Sequence, residues 1–223
     1  MSSLGDILPL AVGVAISPLP VVAVILMLFS PQAGRAGPAF LLGWVIALIA
    51  VSAVVLLLAD AGRVSGGGTP SAAAYAVKLA LGVLLLALAW RQWRSRPREG
   101  EQPKMPKWMA GVDAITAGKA FGLALLLAGV NPKNLALTVA AALSISQSGA
   151  GTAPAAVLVA VFVVIGSAAV AAPVVYYLAA RSKAEKTLQG WKAWLSAHNS
   201  AVMAVLFLVL GAKLAGQGLG GLL

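Results

Sequence analysis

Six apolar runs constrain this chain more than any other feature; they lie at about residues 7 to 29, 38 to 59, 72 to 90, 116 to 145, 153 to 180 and 200 to 219. Each is near or above the ~20 residues that carry an α-helix across a bilayer. With 61% hydrophobic and 10% charged residues, the 223-residue chain holds more apolar surface than a soluble domain of that length can bury. In lipid the backbone must satisfy its own hydrogen bonds, so each run predicts a helix. The expected fold class is an all-α integral membrane protein with six transmembrane helices. The first run carries Asp6, lacks a basic leader and stays apolar past signal-peptide length, so it reads as a retained span.

The formal charge of +10 would suggest nucleic acid as partner in a soluble protein. Here the basic residues gather in two connections beside apolar spans, which is an orientation signal, and nucleic acid is set aside in favour of membrane lipids. Arg91, Arg94, Arg96, Arg98, Lys104 and Lys107 follow the third run, against Glu99, Glu101 and Asp113, and Arg181, Lys183, Lys186 and Lys192 follow the fifth, against Glu185. Both connections are expected on the cytoplasmic side, which places both termini outside. The 60 to 72 connection, with Gly66, Gly67 and Gly68, and the uncharged 146 to 152 connection fit the opposite side. Residues 94–112 are too short and too rich in charge and proline to form a core. In 183–197, Leu188, Trp191 and Leu195 share one helical face, predicting a short amphipathic helix on the cytoplasmic surface.

An internal repeat organises the rest. Ser17-Pro18-Leu19-Pro20, followed by Pro38 opening the next span, recurs as Asn131-Pro132-Lys133-Asn134, followed by Pro154 opening its own next span. The two pairs keep the same order and nearly the same offset. The predicted division is a three-helix repeat over 1–93, the basic loop 94–112, and a second three-helix repeat over 113–223. Three spans per half is an odd number, so the second half enters from the opposite side and the repeats are inverted.

Proline inside an apolar span removes a backbone donor and clashes with the preceding turn, so Pro18, Pro20 and Pro132 predict breaks in the first and fourth helices near mid-depth. Ser17 and Asn131 each precede a proline, the pattern of an N-cap with proline at the first helical position. New helix starts inside the membrane present unpaired N–H groups and a partial positive charge, which suit an anion. Lys133 adds a full charge at the second break, where a cation costs roughly 2.5 to 3.5 kcal/mol on insertion scales. The acidic residues all lie in or near loops and span ends. Two readings of its partner stand: an anionic substrate, with Asn134 adding hydrogen bonds, or water and the carbonyls that the break releases.

Lys78, Lys119 and Lys213 lie near span ends and are expected to snorkel. His198, the sole histidine, sits at the start of the sixth span, and Gly43, Gly82, Gly166, Ser167 and Gly211 suit close helix approach. One histidine, no cysteine and no intramembrane carboxylate pair leave no catalytic set and no metal-ligand set, and nothing in the sequence calls for a cofactor. The expectation is a transporter rather than an enzyme.

Two inverted triplets with these two elements resemble the lysine exporter superfamily. The flanking Leu28-Phe29-Ser30-Pro31, Gly43-Trp44 and the stretch from Asn131 to Leu137 are most similar to its GAP or Sap branch, the glycolipid- or sulfolipid-addressing proteins. The resemblance covers essentially the whole chain and implies a multi-pass protein of the bacterial plasma membrane that sends envelope glycolipids or related amphiphiles outward. The superfamily's amino-acid exporters tend to carry Pro-Gly-Pro where this chain has Pro18-Leu19-Pro20. Thiol-based electron carriers on a similar scaffold need paired cysteines, which this chain lacks. The leading expectation is export of an anionic amphiphile by alternating access, with Ser17, Pro18, Pro20, Asn131, Pro132, Lys133 and Asn134 forming the substrate site. The alternatives are a proton-coupled exporter of amino acids or other small solutes, using Lys133 or His198, and a non-transporting partner that docks onto larger lipid-export machinery through its basic loops. A homo-oligomer is a further candidate assembly.

Overall fold

The computed structural model describes residues 2–65, 72–95, 111, 115–180 and 183–222. The glycine connector at 66–68, most of the 94–112 loop, Asp113 and Arg181 lie outside the described residues. The elements are α1 (Ser2–Ala15), α2 (Pro18–Leu28), α3 (Ala33–Ser65), α4 (Ala72–Arg94), α5 (Ala117–Leu125), a π-type turn (Leu126–Val130), α6 (Pro132–Gln147), α7 (Thr152–Ala180) and α8 (Ala184–Gly220). Four of these helices are long and apolar enough to cross a bilayer alone. The other spans are bent pairs: α1 meets α2 at 47°, and α5 with its π turn meets α6 at 61°, giving up to six spans. The outer surface is apolar, with Leu57 and Val164 each 70% exposed, as lipid-facing side chains are.

Packing is crossed between the halves. The first segment of each bent span lies on the second helix of the other half, α1 on α7 and α5 on α3, and the last helices of the two halves, α4 and α8, pair along their length. Small residues permit the close approach. A Cβ at Gly82 would lie 2.4 Å from the Ala215 nitrogen, one at Gly218 would lie 2.5 Å from that of Leu79, and one at Gly43 would lie 2.5 Å from the Phe121 carbonyl. Trp44, fully buried and stacked on Phe40 at 6.4 Å, fills the centre beside Gly166.

Two sequence expectations shift at helix ends. Pro38 does not open the second span; α3 begins at Ala33 and holds Pro38 in its second turn, where the missing N–H removes the helical donor of the Gly34 carbonyl near the helix start. The surface helix expected over 183–197 is the first part of the unbroken α8, continuous with the sixth span. Its Leu188 is fully buried and its Trp191 rests on Tyr176 at 5.8 Å, so the apolar face packs on protein instead of lying free at the interface.

Candidate functional site

The two breaks meet. At the first, Pro20 lacks the N–H that would have bonded the Ile16 carbonyl, and Pro18 lacks the one for Val14, so α1 ends at Ala15 with a carbonyl released. At the second, the Pro132 ring would press on the carbonyl four residues earlier, and the chain widens into a π turn in which the Asn131 N–H reaches the Leu126 carbonyl at 3.0 Å. That shift leaves the Leu127 carbonyl without its ordinary helical donor.

Side chains of the second half satisfy both carbonyls. Asn134 Nδ2 donates to the Leu127 carbonyl at 2.8 Å, within its own half. Lys133 Nζ donates to the Ile16 carbonyl at 2.7 Å and to Ser17 Oγ at 2.6 Å, across to the other half. A lysine ammonium only donates, so the Ser17 hydroxyl proton goes onward to Asn134 Oδ1 at 3.1 Å. Thr138, which the sequence analysis did not single out, donates to the Asn134 carbonyl at 2.8 Å and anchors the first turn of α6. Ser17, Lys133 and Asn134 are 4%, 5% and 0% exposed, so this network is closed to its surroundings.

Each predicted residue therefore has a place, and some roles change. Asn131 caps α6 as expected, accepting from the Lys133 N–H at 3.1 Å. Ser17 occupies the N-cap position of α2 without a side-chain capping bond, because its hydroxyl is drawn across to Lys133 and Asn134. Pro18 and Pro20 are buried in α2, whereas Pro132 faces outward. The helix starts offer few donors for an anion: Pro18, Pro20 and Pro132 have no N–H, and that of Lys133 is taken by Asn131. The positive charge of the site is thus carried mainly by the Lys133 side chain. It lies at the positive end of its own helix, which that dipole disfavours, and points to the negative end of α1, which favours it. Among the described residues no carboxylate pairs with it.

An apolar groove of about 570 Å³ runs beside the first break, between α1 and α8. Pro9, Val12, Gly13 and Ile16 form one wall, Val205 and Val209 lie in the other, and Ile16 is the residue whose carbonyl Lys133 holds. Sequence reasoning missed this groove, and it also missed Lys78. Lys78 was expected to snorkel but is 4% exposed, with its ammonium on Gln147 Oε1 at 2.5 Å. Helix–helix packing buries it, and no local pattern carries that information. Lys119 is exposed and Lys213 half-buried, and His198 is exposed and stacked on Trp194 at 4.8 Å.

The sequence profile of the family described as "Sap, sulfolipid-1-addressing protein" matches residues 7–220. The match spans both breaks and nearly the whole chain, and the chain belongs to that family. No curated protein and no solved structure gives a significant match.

Proposed function

We propose that this member of the Sap family is an exporter of an anionic amphiphile, such as an envelope glycolipid bearing a sulfate or phosphate group, across the bacterial plasma membrane, with both termini outside. The observation that carries this reading is Lys133: a buried cation at the contact of the two halves, held, among the described residues, by a carbonyl and a hydroxyl. Neutral acceptors leave its charge uncompensated, and a charge in such a place is retained for a function more often than for stability. An anionic head group replaces Ile16 and Ser17 as its partner once the halves part. The groove at Ile16 gives the acyl chain a path in lipid while the head group reaches the break, which favours an amphiphile over an amino acid.

In the closed arrangement Lys133 bridges the halves, and in the loaded one it holds substrate, so head-group binding and opening are the same exchange of partners. A ligand shifts such an equilibrium only by its differential affinity for the two states. The exchange supplies that difference, since a full negative charge binds the ammonium better than a carbonyl does. The family name connects its members with sulfolipid addressing, and a sulfolipid has both parts, an anionic group and long apolar chains.

The test is transbilayer movement of a fluorescent anionic lipid in proteoliposomes containing wild type or Lys133→Gln. Loss of movement in a variant that still inserts and unfolds at the wild-type temperature supports the reading. Movement at the wild-type rate would overturn it. The dense packing around Ser17 and Asn134 favours a second reading, a non-transporting partner of a larger exporter in which Lys133 is a strut. That reading predicts no lipid movement by the wild-type protein alone and a marked fall in the unfolding temperature of Lys133→Gln.

A further inference from the structure

The end of the bundle that holds the start of α1 and the ends of α6 and α8 carries a second buried lysine. Lys78 sits in the second turn of α4, where contact of Leu79 with Gly218 draws α4 hard against α8. Its ammonium donates to Gln147 Oε1 at the end of α6. Because lysine can only donate, this contact fixes the amide with Nε2 turned away. Among the described residues Gln147 Nε2 is buried without a partner, and so is the hydroxyl of Ser144, one turn earlier on α6 and 5% exposed.

The nearby charges do not complete the cluster. Asp6 is the carboxylate within electrostatic reach of Lys78, but it is engaged with Lys213 Nζ at 3.5 Å and Gln217 Nε2 at 2.8 Å. Lys213 is likewise within reach and adds positive charge, and it also donates to the carbonyls of Gly5 and Asp6. What remains is an ammonium with one partner at Lys78, an amide N–H with none at Gln147 and, one turn earlier on α6, a hydroxyl that can donate or accept; the unpaired Gln217 Oε1 is the one acceptor at this end of the bundle among the unpartnered groups of the described residues. Unpaired buried donors of this kind are rare in native proteins. The complementary ligand is rich in acceptors and negatively charged.

We propose that Lys78, Gln147 and Ser144 form a second oxyanion site, which takes a sulfate or phosphate ester on its way to or from Lys133. The proposal rests on the reading of the chain as a carrier of anionic amphiphiles. One helix links the two sites: at 3.6 residues per turn Lys133, Leu137, Ala140, Ser144 and Gln147 fall along one side of α6, roughly 21 Å from end to end. Between the two polar ends this stripe carries Leu137 and Ala140, both fully buried. Once the halves part, a head group released by Lys133 finds its next set of donors along the same helix, at the end of the bundle.

The test uses the full chain purified in detergent, as wild type, Gln147→Glu, Lys78→Met and Lys133→Gln. Gln147→Glu is the decisive variant, because its carboxylate pairs with Lys78 and preserves the helix contact while repelling an anion. Retention of phosphatidylglycerol against phosphatidylcholine is read by native mass spectrometry, and binding of labelled inorganic sulfate by equilibrium dialysis. Wild type is expected to retain two anionic lipids, Gln147→Glu and Lys78→Met one, with at least ten-fold weaker affinity for the second, and Lys133→Gln to lose the other. Loss of the lipid identifies a lipid head group as the ligand, and loss of sulfate binding with lipid unchanged identifies a free oxyanion. Neither ligand responding to Gln147→Glu or Lys78→Met, or a response confined to unfolding temperature, overturns the site. If Lys133→Gln alone has no effect, the site at Lys78 stands and the central reading fails.

Discussion

The two breaks arise from the same kind of residue and are repaired in different ways. The second is self-contained: Asn131 caps α6, and Asn134 of the same half takes the Leu127 carbonyl. The first cannot repair itself. Its prolines release the Ile16 carbonyl, its serine does not cap, and the donors come from Lys133 in the other half. A separation of the halves thus leaves the second break intact and strips the first. Under the proposed transport, this asymmetry makes the first break the place where the structure would open and the second the platform that carries the charge.

Replacements that act on each break in turn sharpen this contrast. Asn134→Leu strikes both, since Asn134 serves the Leu127 carbonyl and the Ser17 hydroxyl; with that carbonyl and the Ser17 hydroxyl proton left unpaired it is expected to lose about 2 to 5 kcal/mol, read by unfolding in micelles. Lys133→Met strikes only the first break. Its released carbonyl loses a donor, about 1 to 3 kcal/mol, and the loss is offset by removing a cation from the interior, so transport fails while stability changes little. A fall as large as that of Asn134→Leu would instead make Lys133 a strut. Asn131→Ala touches only the second break and is expected to cost about 0.5 to 2 kcal/mol, with lipid movement retained. Ser17→Ala is the mildest, at about 1 kcal/mol, because no cap is lost. Ser17→Asp reverses the sign: a carboxylate on Lys133 raises the unfolding temperature and locks the first break closed, and lipid movement measured on the same preparation should fall.

Much of this was legible beforehand, for reasons that differ by residue. Spans follow from run length, since lipid forces an apolar stretch of ~20 residues to pair its own backbone. Breaks follow from Pro18, Pro20 and Pro132, because a missing N–H is a property of the residue and not of its surroundings. Asn131 was readable as a cap on the same ground. The hydroxyl of Ser17 was not, because a local cap competes with a distant ammonium, and that competitor sits 116 residues away in the chain. Lys78 was misread for the same reason, since its burial is decided by α6 and α8, which sequence neighbours do not reveal.

The sequence by itself determined the helical membrane fold, the position of both breaks and the family, all of which rest on local backbone chemistry and patterning. Tertiary structure alone decided which carbonyl each polar side chain takes, that the first break depends on the second half, and where unpaired donors remain. The physical reason is that a buried hydrogen-bonding group takes whichever partner packing brings within about 3 Å, and only the folded chain places Lys133 beside Ile16 and Lys78 beside Gln147.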